Sequence, residues 1–159
     1  MTVYATADLC DQFGEAVQVC RSPLRNFGVN RPFEGPIATI RCFRDNGLIR
    51  ETLRTAGEGR ILVVDAGGVL DCALVGGDLG GNATSHGWAG IIVNGAVRDL
   101  AELAQLPIGV RALGAWPGRA TRDGSGDQEI TVTFGEVTFA PGHWLCADQD
   151  GLVVMKTRP

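Results

Sequence analysis

Among the 159 residues of this chain, the pair best suited to chemistry is Arg98 and Asp99, in Asn94-Gly-Ala-Val-Arg-Asp99. A guanidinium fork matches a carboxylate, and a hard oxygen ligand beside it suits a divalent cation, as a small 2-oxo acid bound next to magnesium requires. The segment directly follows the apolar run Gly90-Ile-Ile-Val-Asn94, and open α/β sheets bind ligands beyond the carboxyl ends of their strands. Each residue also has a plainer reading. Asp99 with Glu102 three residues on resembles a capping box, and Arg98 alone is equally a solvated charge. The second candidate segment is Val75-Gly-Gly-Asp-Leu-Gly-Gly-Asn82. Its glycines let several backbone N–H groups converge on an anion, in a nest or at a helix start, with a flexible turn as the alternative.

Other chemistries are excluded residue by residue. The chain lacks G-x-G-x-x-G, a phosphate loop ending in Gly-Lys, and H-E-x-x-H. Asp148-x-Asp150-Gly151 opens like a calcium loop, but the closing glutamate would fall at Pro159, so it reads as a turn. His143 and Cys146 have ligand-like spacing, yet with His86 as the one other histidine no four-ligand zinc set assembles. Cys10, Cys20, Cys42, Cys72 and Cys146 are odd in number and form no C-x-x-C, which predicts free thiols. Fourteen basic residues face 18 acidic ones with no basic stripe, which disfavours direct nucleic-acid binding. No apolar run approaches the roughly 20 residues that span a bilayer, and Asp8 and Asp11 near the N-terminus are unlike a signal peptide. A cytoplasmic protein is expected.

The elements that must position these residues follow from periodicity. The length predicts one domain over 1–159, with residues 1–36 forming a short helix N-capped by Thr6 and an irregular or extended arm with three prolines. Ile37 to Phe43 alternates like a strand, and Asn46 to Ala56 carries Leu48, Ile49 and Leu53 at helical spacing. Ile61-Leu-Val-Val64 and Gly90-Ile-Ile-Val-Asn94 read as strands buried on both faces and joined as a parallel βαβ unit, with a helix from Asp99 to about Gln105 after them. Short strands then follow at 108–113, 129–134, 136–139, 144–147 and 151–155. The class is α/β, with a mixed sheet and a β-rich C-terminal half.

Several segments together resemble the RraA-like family. They are Val64-Asp65-Ala-Gly-Gly68, Ala73-Leu-Val-Gly76, Gly87-Trp-Ala-Gly90, Asn94-Gly-Ala-Val-Arg-Asp99 and Ile108-Gly-Val-Arg-Ala-Leu-Gly114, extended by Val137-Thr-Phe139, Pro141-Gly142 and Ala147-Asp148-x-Asp-Gly151. That family includes regulators of ribonuclease E and metal-dependent 4-hydroxy-4-methyl-2-oxoglutarate aldolases. The resemblance implies a compact swivelling β/β/α-type domain in a ring-shaped homotrimer with sites between subunits. It also implies that Gly76-Gly77-Asp78-Leu79 binds a small 2-oxo acid through backbone amides, that Arg98 holds the acid, and that Asp99 binds magnesium or manganese. Aldol cleavage and oxaloacetate decarboxylation would then share one pyruvate enolate. The alternative is a non-catalytic regulator docked on a ribonuclease E-type partner; the intact Arg98-Asp99 pair favours the enzyme. Some similar proteins carry older names as menaquinone-pathway methyltransferases, but no S-adenosylmethionine-type glycine loop is present. One departure matters. Many relatives have an acid directly after the first glycine, where this chain has Gly77, and Gly80-Gly81-Asn82 is a poor helix continuation. Asp78, one place later, is expected to stand in as the acid that orients water.

Overall fold

The two apolar runs form the centre of a curled mixed sheet in the computed structural model, which describes residues 3–159. In chain order the elements are α1 (Thr6–Phe13), β1 (Gln18–Val19), β2 (Arg25–Asn26), β3 (Phe33–Arg41), α2 (Gly47–Leu53), β4 (Ile61–Asp65), β5 (Ala73–Val75) and α3 (Gly77–Ser85). There follow β6 (Gly90–Val97), α4 (Leu100–Leu103), β7 (Gly109–Ala115), β8 (Asp127–Gln128), β9 (Val132–Phe134), β10 (Val137–Phe139), β11 (Trp144–Ala147) and β12 (Leu152–Met155). The main sheet runs β1-β12-β11-β3-β4-β6-β7-β2, with β5 added to β6 and β8 to β3. Strands β3, β4, β6 and β7 pair in parallel, whereas β11, β12 and β1 pair antiparallel. The long β3 joins the two regimes: Phe33–Pro36 pairs antiparallel with β11, and Ile37–Arg41 pairs in parallel with β4.

Alternation along the central strands builds two cores, one on each face of the sheet. Leu62, Val64, Ile91 and Val93 face α2, α3 and α4, meeting Ile49, Leu53, Leu79, Ala83 and Leu103. Ile61, Val63 and Ile92 face the opposite way, into Val132, Phe134, Val137, Phe139, Leu145 and Val154. Both faces are covered, so the run Ile61–Val64 is continuous rather than alternating in hydrophobicity, and all four residues are fully buried. Burial contributes about 1.5–3 kcal/mol for each such side chain. The result is three layers, β/β/α, as expected, and the β4–α3–β6 segment is the anticipated parallel crossover.

The structure differs from expectation at several boundaries. The arm is partly strand: β3 begins at Phe33, and β1 and β2 pair with β12 and β7. Met1 and Thr2 of that arm lie outside the described residues. Thr6 is not the cap of α1; Ala5 precedes the helix, and Asp148 caps it from 142 residues away, accepting from Thr6 N at 2.8 Å and Thr6 Oγ1 at 2.7 Å. The same carboxylate receives Asp150 N at 2.9 Å, closing the turn foreseen there. The helix expected over 46–56 is trimmed to α2, and the one expected from Asp99 to Gln105 is the single turn α4. The strand expected at 129–134 is confined to β9, and β8 lies just before that range.

The largest difference is α3. Its three glycines predict weak helicity, yet the helix runs for nine residues. Packing overrides propensity. A Cβ on Gly80 would lie 2.7 Å from Leu103 Cδ2 and 2.9 Å from Leu106 Cδ1, so the absent side chain is what lets α3 lie against α4. Among the described residues, no helix is long and apolar enough to cross a membrane.

Candidate active site

Parallel pairing brings the two chemically interesting segments together. Val75 at the end of β5 is in register with Val97 at the end of β6, so Gly76 and Arg98 leave the carboxyl edge of the sheet side by side. Arg98 N donates to Val75 O at 2.9 Å, which ties the two exits. The first turn of α3 begins at Gly77, and its N–H groups face the loop that carries Arg98 and Asp99.

Asp99 does not form the capping box that its spacing to Glu102 suggests. Its backbone is left-handed, φ 58° and ψ 47°, and it makes no side-chain cap on α4. Instead its Oδ2 accepts from Gly77 N at 2.8 Å, so it caps α3. A non-glycine residue in this region costs of order 1 kcal/mol or more and is held there by its surroundings. Gly76 is required by the same contact, because a Cβ there would lie 2.5 Å from Asp99 Oδ2 and 3.2 Å from Arg98 Cγ.

Glu102 is the residue whose place sequence reasoning missed. A Cβ on residue 77 would overlap its carboxylate, both Oε2 and Cδ. The Glu102 carboxylate, from α4 and a single turn beyond Asp99, therefore stands directly beside Gly77. The sequence signal was present as Asp99-x-x-Glu102, and it pointed to a cap.

Gly76, Asp78, Leu79, Arg98 and Asp99 line one small pocket, which Asn46, Arg50, Arg119 and Arg122 also wall. Asp78 and Asp99 are exposed, Arg98 is half-buried, and the Leu79 side chain turns into the core, leaving its backbone N–H for a ligand. Arg98 Nη1 donates to Pro117 O at 3.2 Å, which holds the guanidinium against the loop after β7. Arg50 is held below its ordinary value by burial first and then by the charges of Arg122 and Arg54, with Asp78 opposing.

Arg119 and Arg122 reach the pocket because Asp45 anchors their loop. Its carboxylate, 1% exposed, accepts from Gly47 N at 2.9 Å, Thr121 Oγ1 at 2.8 Å, Asp123 N at 2.6 Å and Gly124 N at 2.9 Å. Burial pushes this carboxyl up, but the four hydrogen bonds together outweigh it and hold the group below the usual carboxylate range. A larger hollow of about 560 Å³ lies between Phe33, Trp88 and Trp144, and none of the expected site residues lines it. Among the described residues no three His, Cys, Asp or Glu side chains gather into a preformed metal cluster.

Comparison with known proteins gives this geometry its setting. A family model described as Aldolase/RraA matches residues 6–154. A protein of Laribacter hongkongensis named “Putative 4-hydroxy-4-methyl-2-oxoglutarate aldolase” is 49% identical over 150 residues, covering 94% of each chain. The crystal structure of a Geobacillus kaustophilus protein, described as an S-adenosylmethionine:2-dimethylmenaquinone methyltransferase, is 44% identical with a TM-score of 0.95, covering 98% of this chain and 96% of that one. The RNA-processing inhibitor RraA of Thermus thermophilis is 39% identical, also with a TM-score of 0.95, over 99% of this chain and 96% of its own. With a family match across nearly its whole length and close to half its residues shared with full-length relatives, this chain belongs to the RraA-like family.

Proposed function

We propose that the protein is a divalent-metal-dependent carbon–carbon lyase that cleaves 4-hydroxy-4-methyl-2-oxoglutarate to pyruvate and also decarboxylates oxaloacetate. One observation carries the reading: Arg98 and the left-handed Asp99 converge on the first turn of α3, with Asp99 Oδ2 on Gly77 N–H. That contact uses one carboxylate oxygen and leaves Oδ1 for a cation. A single hard oxygen ligand, with water completing the shell, suits magnesium or manganese, and the lack of a three-residue cluster among the described residues fits that mode. Glu102, against the same glycine, adds a second carboxylate beside it.

When bound, the cation supplies Lewis-acid pull on the 2-oxo oxygen. Arg98 and the N–H groups of Asp78 and Leu79 hold the substrate's 2-oxo acid end. The C4 hydroxyl gives its proton to a water that Asp78 orients, the C3–C4 bond breaks, and its electron pair becomes a pyruvate enolate whose charge Arg98 balances, while a second pyruvate leaves as the ketone. Asp78, inside the pocket, orients the water that returns a proton to C3. Loss of carbon dioxide from oxaloacetate leaves the same enolate.

A homotrimer belongs to the proposal. Leu100 and Trp116 are 39% and 44% exposed, and they wall a hollow with Arg98 and Asp99, where a second copy would cover the site's edge. The coupled pyruvate assay with either substrate, with and without EDTA, tests the reading: pyruvate should form, stop with EDTA, and collapse in Arg98→Ala and Asp99→Ala. Metal-independent or absent pyruvate formation overturns it. The likeness to the Thermus RNA-processing inhibitor supports a second reading, a regulator that docks on a ribonuclease E-type partner. A pull-down with that ribonuclease from a catalytically silent protein would favour it.

A further inference from the structure

The hollow between Phe33, Trp88 and Trp144 lies at the opposite end of the sheet from Arg98 and Asp99. Gly59 and Ala89, which line it, come just before β4 and β6, and Gly109 opens β7, so the hollow sits at the amino edge of the parallel strands. The eight residues of β6 put roughly 25 Å between the two places. At about 560 Å³ the hollow has the size of a small-molecule site, and the lyase chemistry makes no use of it.

Its aromatic walls are fixed in place. A Cβ on Gly90 would lie 2.6 Å from the Phe33 ring and one on Gly109 would overlap it, so two glycines let that ring lie across the starts of β6 and β7. Trp88 Nε1 donates to Thr55 O at 3.1 Å, and a Cβ on Gly57 would lie 2.6 Å from Trp88 Cγ. Each ring also carries a guanidinium on one face: Arg111 is 5.8 Å from the centroid of Phe33, Arg60 4.7 Å from that of Trp88 and Arg158 5.1 Å from that of Trp144. Arg31, exposed on the lining, uses one of its N–H groups on Pro107 O at 3.1 Å. Four guanidiniums thus stand in or behind the walls, against two carboxylates on the lining, Glu34 and Glu58. Glu34 is already engaged, its Oε2 accepting from Tyr4 N at 3.1 Å and from Cys146 Sγ at 3.7 Å.

We propose that this hollow is a second binding site, separate from the lyase site, for a flat aromatic anion of the class of a bicyclic aromatic carboxylate. Rings held in place before binding stack on a planar ligand with little ordering cost. The surplus of positive charge and the other N–H donors of Arg31 select a carboxylate on that ligand through charge-assisted hydrogen bonds. A cation would meet repulsion there, and an aliphatic acid would forgo the stacking. The assignment is independent of the catalytic reading of Arg98 and Asp99.

Calorimetric titration of the whole protein with 2-naphthoate and with the uncharged 2-naphthamide tests this, together with the indole N–H resonances of the three tryptophans. The naphthoate should bind once per chain and roughly 10- to 100-fold more tightly than the amide, the range for one charged hydrogen-bonded contact. It should move the signals of Trp88 and Trp144 and leave that of Trp116, which lies beside Arg98. Arg31→Gln should cut naphthoate affinity by about tenfold and leave the amide unchanged. Cyclohexanecarboxylate, with the charge but no aromatic ring, should bind about tenfold more weakly than the naphthoate. No saturable naphthoate binding, equal affinities for acid and amide, a preference that survives Arg31→Gln, or a shift confined to Trp116 overturns the proposal. Pyruvate formation enters none of these readouts, so a failure of the lyase reading leaves the test intact.

Discussion

Asp99 combines two demands that separate substitutions can pull apart: a left-handed backbone and a carboxylate that both caps α3 and faces the pocket. Asparagine tolerates that backbone and keeps an oxygen for Gly77 N–H, whereas alanine fits neither. Asp99→Asn should therefore melt like the unmodified protein and lose at least about 100-fold in metal-supported pyruvate formation; retained activity would remove Asp99 from the metal's shell. Gly77 and Glu102 form the second diagnostic pair. The Glu102 carboxylate is the exposed end of a flexible side chain, so it can swing away from a new Cβ at modest cost. Gly77→Ala should thus fold normally, while the metal concentration for half-maximal rate rises by about 10- to 100-fold, and Glu102→Gln should give a shift of the same size. A metal titration of the rate checks both, and an unchanged midpoint in Glu102→Gln would make that carboxylate a bystander.

At the scale of elements, α3 and the loop after β7 decide whether those residues meet. Gly80 faces Leu103, which is fully buried and cannot move aside as Glu102 can. Gly80→Ala should cost about 1–3 kcal/mol by overpacking, partly offset by about 1 kcal/mol of better helix propensity, as read by denaturant unfolding. The loop depends on Asp45, whose folded carboxyl sits below its ordinary value of 3.8. A depressed folded value means the stabilisation is complete above the unfolded value and is lost as pH falls through the folded one. Stability should therefore hold from neutrality to about pH 5 and decline below about pH 4, and Asp148, likewise depressed, adds to the slope. Asp45→Asn should lower stability at neutral pH by about 1–3 kcal/mol and flatten that acid limb. How much of this was legible in the sequence follows from the range of each interaction. Continuous apolar runs such as Ile61–Val64 disclose buried strands because burial on both faces imprints every residue. Asp-x-x-Glu at 99–102 also has a strong local meaning, and it misled, since the partner of Asp99 is 22 positions earlier. The helix α3 was hidden for the same reason: three glycines argue against it locally, and the distant contacts that use two of them, Gly80 against Leu103 and Leu106 and Gly77 against Glu102, are not visible in the segment itself. Arg119 and Arg122 drew no notice in a stretch of turn residues, because Asp45, from a different part of the chain, is what aims their loop.

For the whole molecule, the exposed apolar residues decide whether one chain makes a complete site. Leu70, Leu100 and Trp116 are 50%, 39% and 44% exposed, and two of them flank Arg98 and Asp99. Leu70 lies near β7, with its Cδ2 3.6 Å from where a Cβ on Gly114 would stand. A pocket walled on one side by uncovered tryptophan and leucine is poorly shielded from water, and shielding would strengthen the charge interactions on which the proposed enolate stabilisation rests. Covering that side with a second copy would remove apolar surface from water and enclose the pocket at one stroke. The ring-shaped homotrimer that the resemblance implies would sediment as a species of about three times 16.8 kDa. Trp116→Asp places a charge in the middle of the contact, so it should sediment as a monomer and lose pyruvate formation together, with melting of the isolated chain little changed because the residue lies outside the core clusters. Arg122→Gln, on the other side of the pocket, should remain a trimer, which separates loss of assembly from loss of the site. A monomeric protein with full activity, or a Trp116→Asp trimer that is inactive, would show that the exposed tryptophan serves the chemistry directly or not at all, and that assembly is not what completes the pocket.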